Sequence, residues 1–229
     1  VVDVPAPNPP KGAGTPKPYY QDDLVTLYCG DSLHLVDVWR DLDVMITDPP
    51  YGLQALAGAY GTTHRTIAND MDTETRDIVL DLWGDKPIAV FASPRLEEPP
   101  GTWSDRLVWD KAQLGLNGGP WRYAHESIFV RGDGWRRIGN TASSIMRYPT
   151  QANRKHVADH IHSKPMQLLA QLVAAAPAGT IIDPFAGGGS TVAAAVLLGR
   201  PIVAIELTQS NCDLIIDRIQ QRTFDLGVI

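Results

Sequence analysis

Residues 180–224 constrain the fold more than any other part of this 229-residue chain. Thr180-Ile181-Ile182 is a short β-branched run feeding Asp183-Pro184-Phe185-Ala186-Gly187-Gly188-Gly189-Ser190-Thr191, and a helical pattern over about 190–198 stops at Gly199. A second apolar run, 201–205, leads to a final helical pattern over about 209–224. Strand, glycine turn, helix, strand and helix make a βαβα unit, whose glycines let the backbone turn tightly and approach a nucleoside-containing ligand. Glu206 ends the second strand 19 residues beyond Gly187, where a carboxylate can accept hydrogen bonds from both hydroxyls of a ribose.

Several guests compete for such a loop. A nucleoside triphosphate needs a Walker lysine before Ser190-Thr191, where Gly189 stands. A dinucleotide fingerprint would put Val192 at its last position, which calls for Gly or Ala. Asp183 adds negative charge beside a pyrophosphate, but it suits a cationic or amine-bearing ligand such as S-adenosylmethionine. A glycine-rich turn without a ligand is the remaining reading.

The rest of the chain alternates in the same way. Runs at 24–29, 44–47, 87–92, 106–110 and 127–131 join 180–182 and 201–205 as seven predicted strands. Thr73 precedes an Ile78, Val79, Leu82, Trp83 stripe that Gly84 ends, and Lys164-Pro165 opens a helical run to Ala176. The expected fold is α/β, a Rossmann-like, mostly parallel seven-stranded sheet with helices on both faces. Six prolines among the first 20 residues leave little to bury, so 1–20 reads as a flexible lead-in and 21–229 as one domain. Loop insertions are expected at about 52–72 and 132–162. The apolar runs are short and no apolar signal core is seen, which argues against membrane spanning and secretion. Cys29 and Cys212, neither in a CxxC pair, exclude a disulfide scaffold or zinc ribbon and suit a reducing cytosol.

A second string, Val44-Met45-Ile46-Thr47-Asp48-Pro49-Pro50-Tyr51-Gly52, ends a buried strand in a carboxylate, two ring-locked residues and an aromatic. Consecutive prolines fix φ and leave their carbonyls free to accept. A rigid carboxylate and carbonyl can hold one amino group while a ring stacks on a base, as an extruded nucleobase would require. Taken alone, the string could equally be a turn after a strand.

Together the two strings resemble the amino-methyltransferases of DNA. The family's D-P-P-Y motif matches Asp48 to Tyr51, and its cofactor loop D-P-F-x-G-x-G-[ST]-[ST] matches Asp183 to Thr191. With the catalytic motif first, the order is similar to that of the permuted, β-type members. Gly30-Asp31-Ser32-Leu33 resembles the family's G-D-x-L, Trp109-Asp110-Lys111 its W-D-K, and His162-Ser163-Lys164-Pro165 a shortened H-P-T-Q-K-P. The resemblance spans about residues 22–224.

It implies an S-adenosylmethionine-dependent DNA methyltransferase of the bacterial or phage-infected cytosol, with or without a restriction partner. Asp183, Phe185, Gly187, Gly189 and Thr191 would line the cofactor pocket, Glu206 would hold the ribose, Asp31 would face the adenine of the cofactor, and Lys164 would lie near its methionine end. Asp48, Pro49, Pro50 and Tyr51 would be catalytic: Asp48 and the Pro49 carbonyl orient an exocyclic amine for direct in-line attack on the sulfonium methyl, and Tyr51 stacks on the base. Within the family, Asp at the first motif position is associated more with adenine and Ser more with cytosine, so N6 of adenine is the expected target. The alternatives are cytosine N4, an RNA substrate, or an inactive cofactor- or DNA-binding regulator. Carbon-5 methylation is excluded because Tyr28 and Asn211, not proline, precede the two cysteines. No metal is expected, since the histidines lack ligand spacing, and His125-Glu126 reads as a strand-edge pair. Cys29 is expected to be buried beside the cofactor strand.

Binding to double-stranded DNA has to be reconciled with a net charge of -6. Residues 131–164 carry seven cations against Asp133 and Asp159, a local +5 that leaves -11 elsewhere. Arg136, Arg137, Arg147, Arg154 and Lys155, interleaved with Trp135, Tyr148, His156, His160 and His162, are therefore the expected DNA contacts. Residues 53–72, with Tyr60, His64 and Arg65, would form the opposite wall. A homodimer could extend the footprint, though no interface is legible.

Overall fold

The computed structural model describes residues 16–50, 73–112, 121–139, 143–150 and 164–221. The strands among them are β1 (Tyr20–Gln21), β2 (Val25–Cys29), β3 (Val44–Thr47), β4 (Ile88–Ala92), β5 (Asp105–Asp110), β6 (His125–Arg131), β7 (Ile145–Arg147), β8 (Ile181–Asp183) and β9 (Ile202–Glu206). The helices are α1 (Val36–Trp39), entered through a 3-10 turn at Ser32–Leu35, then α2 (Glu74–Trp83), α3 (Met166–Ala175), α4 (Ser190–Leu197) and α5 (Gln209–Gln221).

All described strands join one sheet in the order β1-β2-β9-β8-β3-β4-β6-β5-β7. Every residue of β3, β4 and β8 is buried, as expected for strands covered on both faces. Alternation then sorts their side chains between two layers. Val44, Ile46, Ala89 and Phe91 pack under α3, α4 and α5 through Leu168, Leu172, Val192 and Ile215. Met45, Ile88 and Val90 face Trp39 of α1 and Val79, Leu80 and Trp83 of α2.

The sheet is mixed and nine-stranded, not mostly parallel and seven-stranded. The ladders β2–β9, β9–β8, β8–β3, β3–β4 and β5–β7 are parallel, whereas β1–β2, β4–β6 and β6–β5 are antiparallel. The seven predicted strands all form. The two others, two and three residues long, carry no readable period, whereas β8, as short as β7, is legible from the apolar run Thr180-Ile181-Ile182 before the glycine loop. β1 straddles the end of the expected lead-in, where Tyr19 N donates to Leu27 O at 2.8 Å, and β7 lies in the expected 132–162 loop, paired with β5. Reversal of β6 follows from the β5–β6 hairpin, which slots β6 between β4 and β5.

Two arginines are structural. Arg131 is buried against the Trp103 ring and donates to the carbonyls of Leu80 and Gly84, closing the C-terminus of α2. Arg200 does the same for α3, donating to Val173, Ala176, Pro177 and Gly179 carbonyls. Among the described residues no helix is long and apolar enough to cross a membrane.

Candidate active site

The strand order reverses between β8 and β3: the chain leaves β8 toward β9 and leaves β3 toward β4. Adjacent strands whose connections depart in opposite directions leave a crevice beyond their carboxyl ends, the usual ligand seat of an open α/β sheet. Both sequence strings fall there. Asp183 is the last residue of β8, and Asp48 follows the last residue of β3.

Asp183 is 2% exposed and accepts hydrogen bonds from Thr47 Oγ1 at 2.7 Å and Phe185 N at 3.1 Å, with Thr191 as a further donor. Burial raises its pKa to about 6, helped by the charge of Asp48 and opposed by those donors. The glycine loop then turns through Gly187 (φ 51°) and Gly189 (φ 77°). A Cβ at Gly189 would meet Ile215 Cγ1 at 2.7 Å, whereas one at Gly187 would find no atom closer than Phe185 O at 4.0 Å. Gly189 is thus required by packing against α5, and Gly187 leaves open space.

Glu206, nearly buried, ties this loop to the end of β9. Its Oε2 accepts from Gly187 N at 2.9 Å, while Oε1 accepts from Thr208 N, Thr208 Oγ1 and Asn211 Nδ2 at 2.9, 2.7 and 3.1 Å. Oε2 is therefore the oxygen with capacity left for a ribose hydroxyl. Arg218 of α5 donates to the Gly188 carbonyl from behind. Asp31, just past β2, caps the 3-10 turn by accepting from Leu33 N at 2.9 Å, and Gly30 N donates to Glu206 O, which joins the ends of β2 and β9.

At the other side of the crevice Lys164 pairs with Asp48. The resemblance put this lysine near the methionine end of a cofactor; the structure seats its ammonium on the Asp-Pro-Pro-Tyr carboxylate and 3.3 Å from Glu126 Oε2. Glu126 Oε1 in turn accepts from Lys111 Nζ at 2.6 Å. The result is a line of alternating charge, Asp48, Lys164, Glu126 and Lys111, floored by the rings of Phe91 and Trp109. Burial disfavours the charge on Lys164, yet Asp48 and Glu126 raise its pKa above the ordinary lysine value. Burial likewise works against the Glu126 carboxylate, but Lys164 and Lys111 hold its pKa below the usual range. Glu126, read from sequence as a strand-edge residue, belongs to this cluster. The signal that could have found it was Trp109-Asp110-Lys111, since β5 and β6 are neighbours.

Pro49 is buried and Pro50 half-buried. Tyr51 and the wall expected from 53–72 lie outside the described residues, as do Arg154, Lys155 and the three histidines at 156, 160 and 162. The remaining expected DNA contacts separate. Arg147 ends β7 on the crevice side, largely exposed and 3.5 Å from Asp110. Arg136 and Arg137 follow β6 at the opposite end, because Arg131 pairs with Ile88, the first residue of β4, and Arg136 N donates to Ala175 O. On the crevice rim stand residues not singled out from sequence. Trp121 is 83% exposed, Arg122 is exposed, and the Arg95 guanidinium lies 5.5 Å from the ring centre of Tyr123, which adjoins His125. Cys29 is exposed rather than buried, and Cys212 is the buried thiol. Among the described residues, no cluster of three or more His, Cys, Asp or Glu could hold a metal ion.

Comparison with known proteins agrees with this layout. The family model for N6/N4 methyltransferases, described as DNA methylase, matches residues 80–217. YubD of Escherichia coli (strain K12), a candidate methylase, is 26% identical over 190 residues, covering 73% of this chain and 77% of its own length. The cytosine-N4-specific PvuII DNA methyltransferase superposes with a TM-score of 0.62 at 14% identity, over 93% of this chain and 91% of that one. The M1.HpyAVI–SAM complex superposes with a TM-score of 0.57 at 17% identity, over 85% and 100%.

Proposed function

The chain belongs to the N6/N4 DNA methylase family, and from that premise we propose that it transfers a methyl group from S-adenosylmethionine to an exocyclic amino group of a DNA base. The observation that carries the reading is the junction of the two motif loops: Thr47, the residue before Asp48, hydrogen-bonds Asp183 at the head of the glycine loop. Donor and acceptor would therefore meet at one crevice.

The residues present fit the donor. Glu206 Oε2 and the open space at Gly187 would receive its ribose, Asp31 its adenine, and Phe185 and Thr191 would line the seat. Asp183, a buried carboxylate that ionises only above about pH 6, gains from a neighbouring positive charge. The likeness to the SAM complex of M1.HpyAVI supports the same assignment. When bound, the cofactor supplies an electrophilic methyl on a sulfonium.

The chain's own part is positioning and electrostatics. Asp48 and the Pro49 carbonyl accept hydrogen bonds from the two amine N–H groups, holding the nitrogen lone pair toward the donor, and Tyr51 stacks on the base. The Asp48 carboxylate, ion-paired with Lys164, would stabilise the positive charge that develops on the amine. Double-stranded DNA would approach the carboxyl-end rim, where Arg95, Arg122 and Arg147 reach phosphates and Trp121 and Tyr123 offer stacking faces.

Asp48 favours adenine N6 through the family pattern, while the PvuII enzyme, whose stated specificity is cytosine N4, favours that base. Digesting duplex DNA after incubation with methyl-labelled S-adenosylmethionine separates the two: label in N6-methyladenine or in N4-methylcytosine names the substrate. Asp48→Ala should abolish transfer and leave cofactor binding intact. Full activity in that variant overturns the mechanism.

A further inference from the structure

Cys29 ends β2 and Cys212 sits in the first turn of α5, and the fold brings these two thiols together beside Glu206. Cys29 is the ladder partner of Glu206. The Glu206 carbonyl accepts from Gly30 N at 2.9 Å and from Cys212 Sγ at 3.6 Å. Val25 and Leu27 face the layer that contains Cys212, so by alternation Cys29 points to the same side. One thiol is exposed and one buried, both are free, and the Glu206 backbone that pairs with Cys29 also accepts from the Cys212 thiol. Methyl transfer has no use for either.

We propose that Cys29 and Cys212 are a modification site, a thiol pair that a low-molecular-weight disulfide converts reversibly into an intramolecular disulfide, weakening the cofactor seat. The exposed Cys29, as thiolate, attacks one sulfur of the reagent, forming a mixed disulfide and expelling one thiolate. Cys212 then loses its proton and attacks the Cys29 sulfur; the Cys29–Cys212 bond forms and the second reagent thiolate leaves. Two protein thiols are oxidised, and one reagent disulfide is reduced to two thiols. Burial and the adjoining Cys29 thiol push the Cys212 thiol well up, so Cys29 reacts first and ring closure is the slow step.

Closing the bond requires the two Cα atoms to come within roughly 4.4–6.8 Å. That constraint acts on the turn carrying Asn211, a donor to Glu206, and on the strand end that continues into Gly30 and Asp31. The effect on cofactor affinity rests on the function proposed above; formation of the disulfide does not.

The test is to treat the folded protein with glutathione disulfide, map its peptides without reduction, and measure S-adenosylmethionine binding by calorimetry before and after. We expect a Cys29–Cys212 crosslink reversed by dithiothreitol, and an affinity lowered about tenfold in the oxidised form. Cys29→Ser should resist oxidation and bind the cofactor like the reduced protein, while Cys212→Ser should stop at the mixed adduct. A stable adduct on Cys29 in the parent protein, or no oxidation, overturns the pair. A crosslink with unchanged affinity overturns the switch. Failure of the reduced protein to bind the cofactor, with the crosslink still forming, instead counts against the cofactor assignment and leaves the pair standing.

Discussion

Thr47 Oγ1 donates a 2.7 Å hydrogen bond to Asp183 Oδ1, so the residue before one motif loop holds the first residue of the other. The bond crosses from β3 to β8, the strands between which the sheet reverses. It makes the crevice one unit, and its acceptor is a carboxylate whose ionisation is itself poised by burial.

That poise sets a pH dependence. The folded carboxyl of Asp183 keeps its proton up to about pH 6, while in the unfolded chain it ionises near 4. Between those values the native state binds more protons, so stability falls as pH rises through the window. Above it the buried charge costs about 3 kcal/mol. Asp183→Asn should be more stable than the parent at pH 8 by up to that amount in urea unfolding, with the two converging below about pH 4. Affinity for the cationic cofactor should rise between about pH 5 and about pH 7 in the parent and stay flat in the variant.

The line Asp48, Lys164, Glu126 and Lys111 alternates in sign, and Lys164 is its most buried cation. Lys164→Met leaves two carboxylates facing each other without it, and should cost about 3–5 kcal/mol of stability. Lys111→Met, at the more exposed end, should cost less. Single-turnover methyl transfer in Lys164→Met should fall further than cofactor affinity does. Equal losses in both would make the lysine a structural support only.

The two positive-φ glycines of the loop should separate under substitution. Gly189→Ala drives a Cβ into Ile215 and strains the backbone, for about 1–3 kcal/mol of lost stability without ligand. Gly187→Ala shares the backbone strain (φ 51°) but meets no such neighbour, so it should cost less stability and show more of its loss in cofactor affinity. Thermal unfolding with and without S-adenosylmethionine reads both effects.

DNA contacts should follow the rim rather than the basic stretch as a whole. Arg95→Ala and Arg122→Ala should each weaken duplex binding and flatten its salt dependence by about one counterion. The double replacement of Arg136 and Arg137, at the far end of the sheet, should leave the salt slope unchanged. The reverse pattern would move the duplex to the other end.

Local chemistry in the chain was enough to specify seven of the strands, the ends of α2 and α4 at Gly84 and just before Gly199, and the identity of the glycine and Asp-Pro-Pro-Tyr loops. Each depends on period, β-branching or a φ that only certain residues adopt, and all of these are encoded within a few neighbouring residues. What tertiary structure alone decided involves partners distant along the chain. β1 and β7 exist through pairing with β2 and β5, and β6 runs backwards because a hairpin inserts it. Lys164 meets Asp48 and Glu126 joins their charge line because the ends of β3 and β6 open onto one crevice, whereas Cys29 nears Cys212 because β2 pairs with β9. Arg131 and Arg136 both count toward the basic stretch 131–164, yet one is buried under Trp103 and the other sits away from the site. Charge is a property of composition, but the direction in which a charge faces is set by the sheet that carries it.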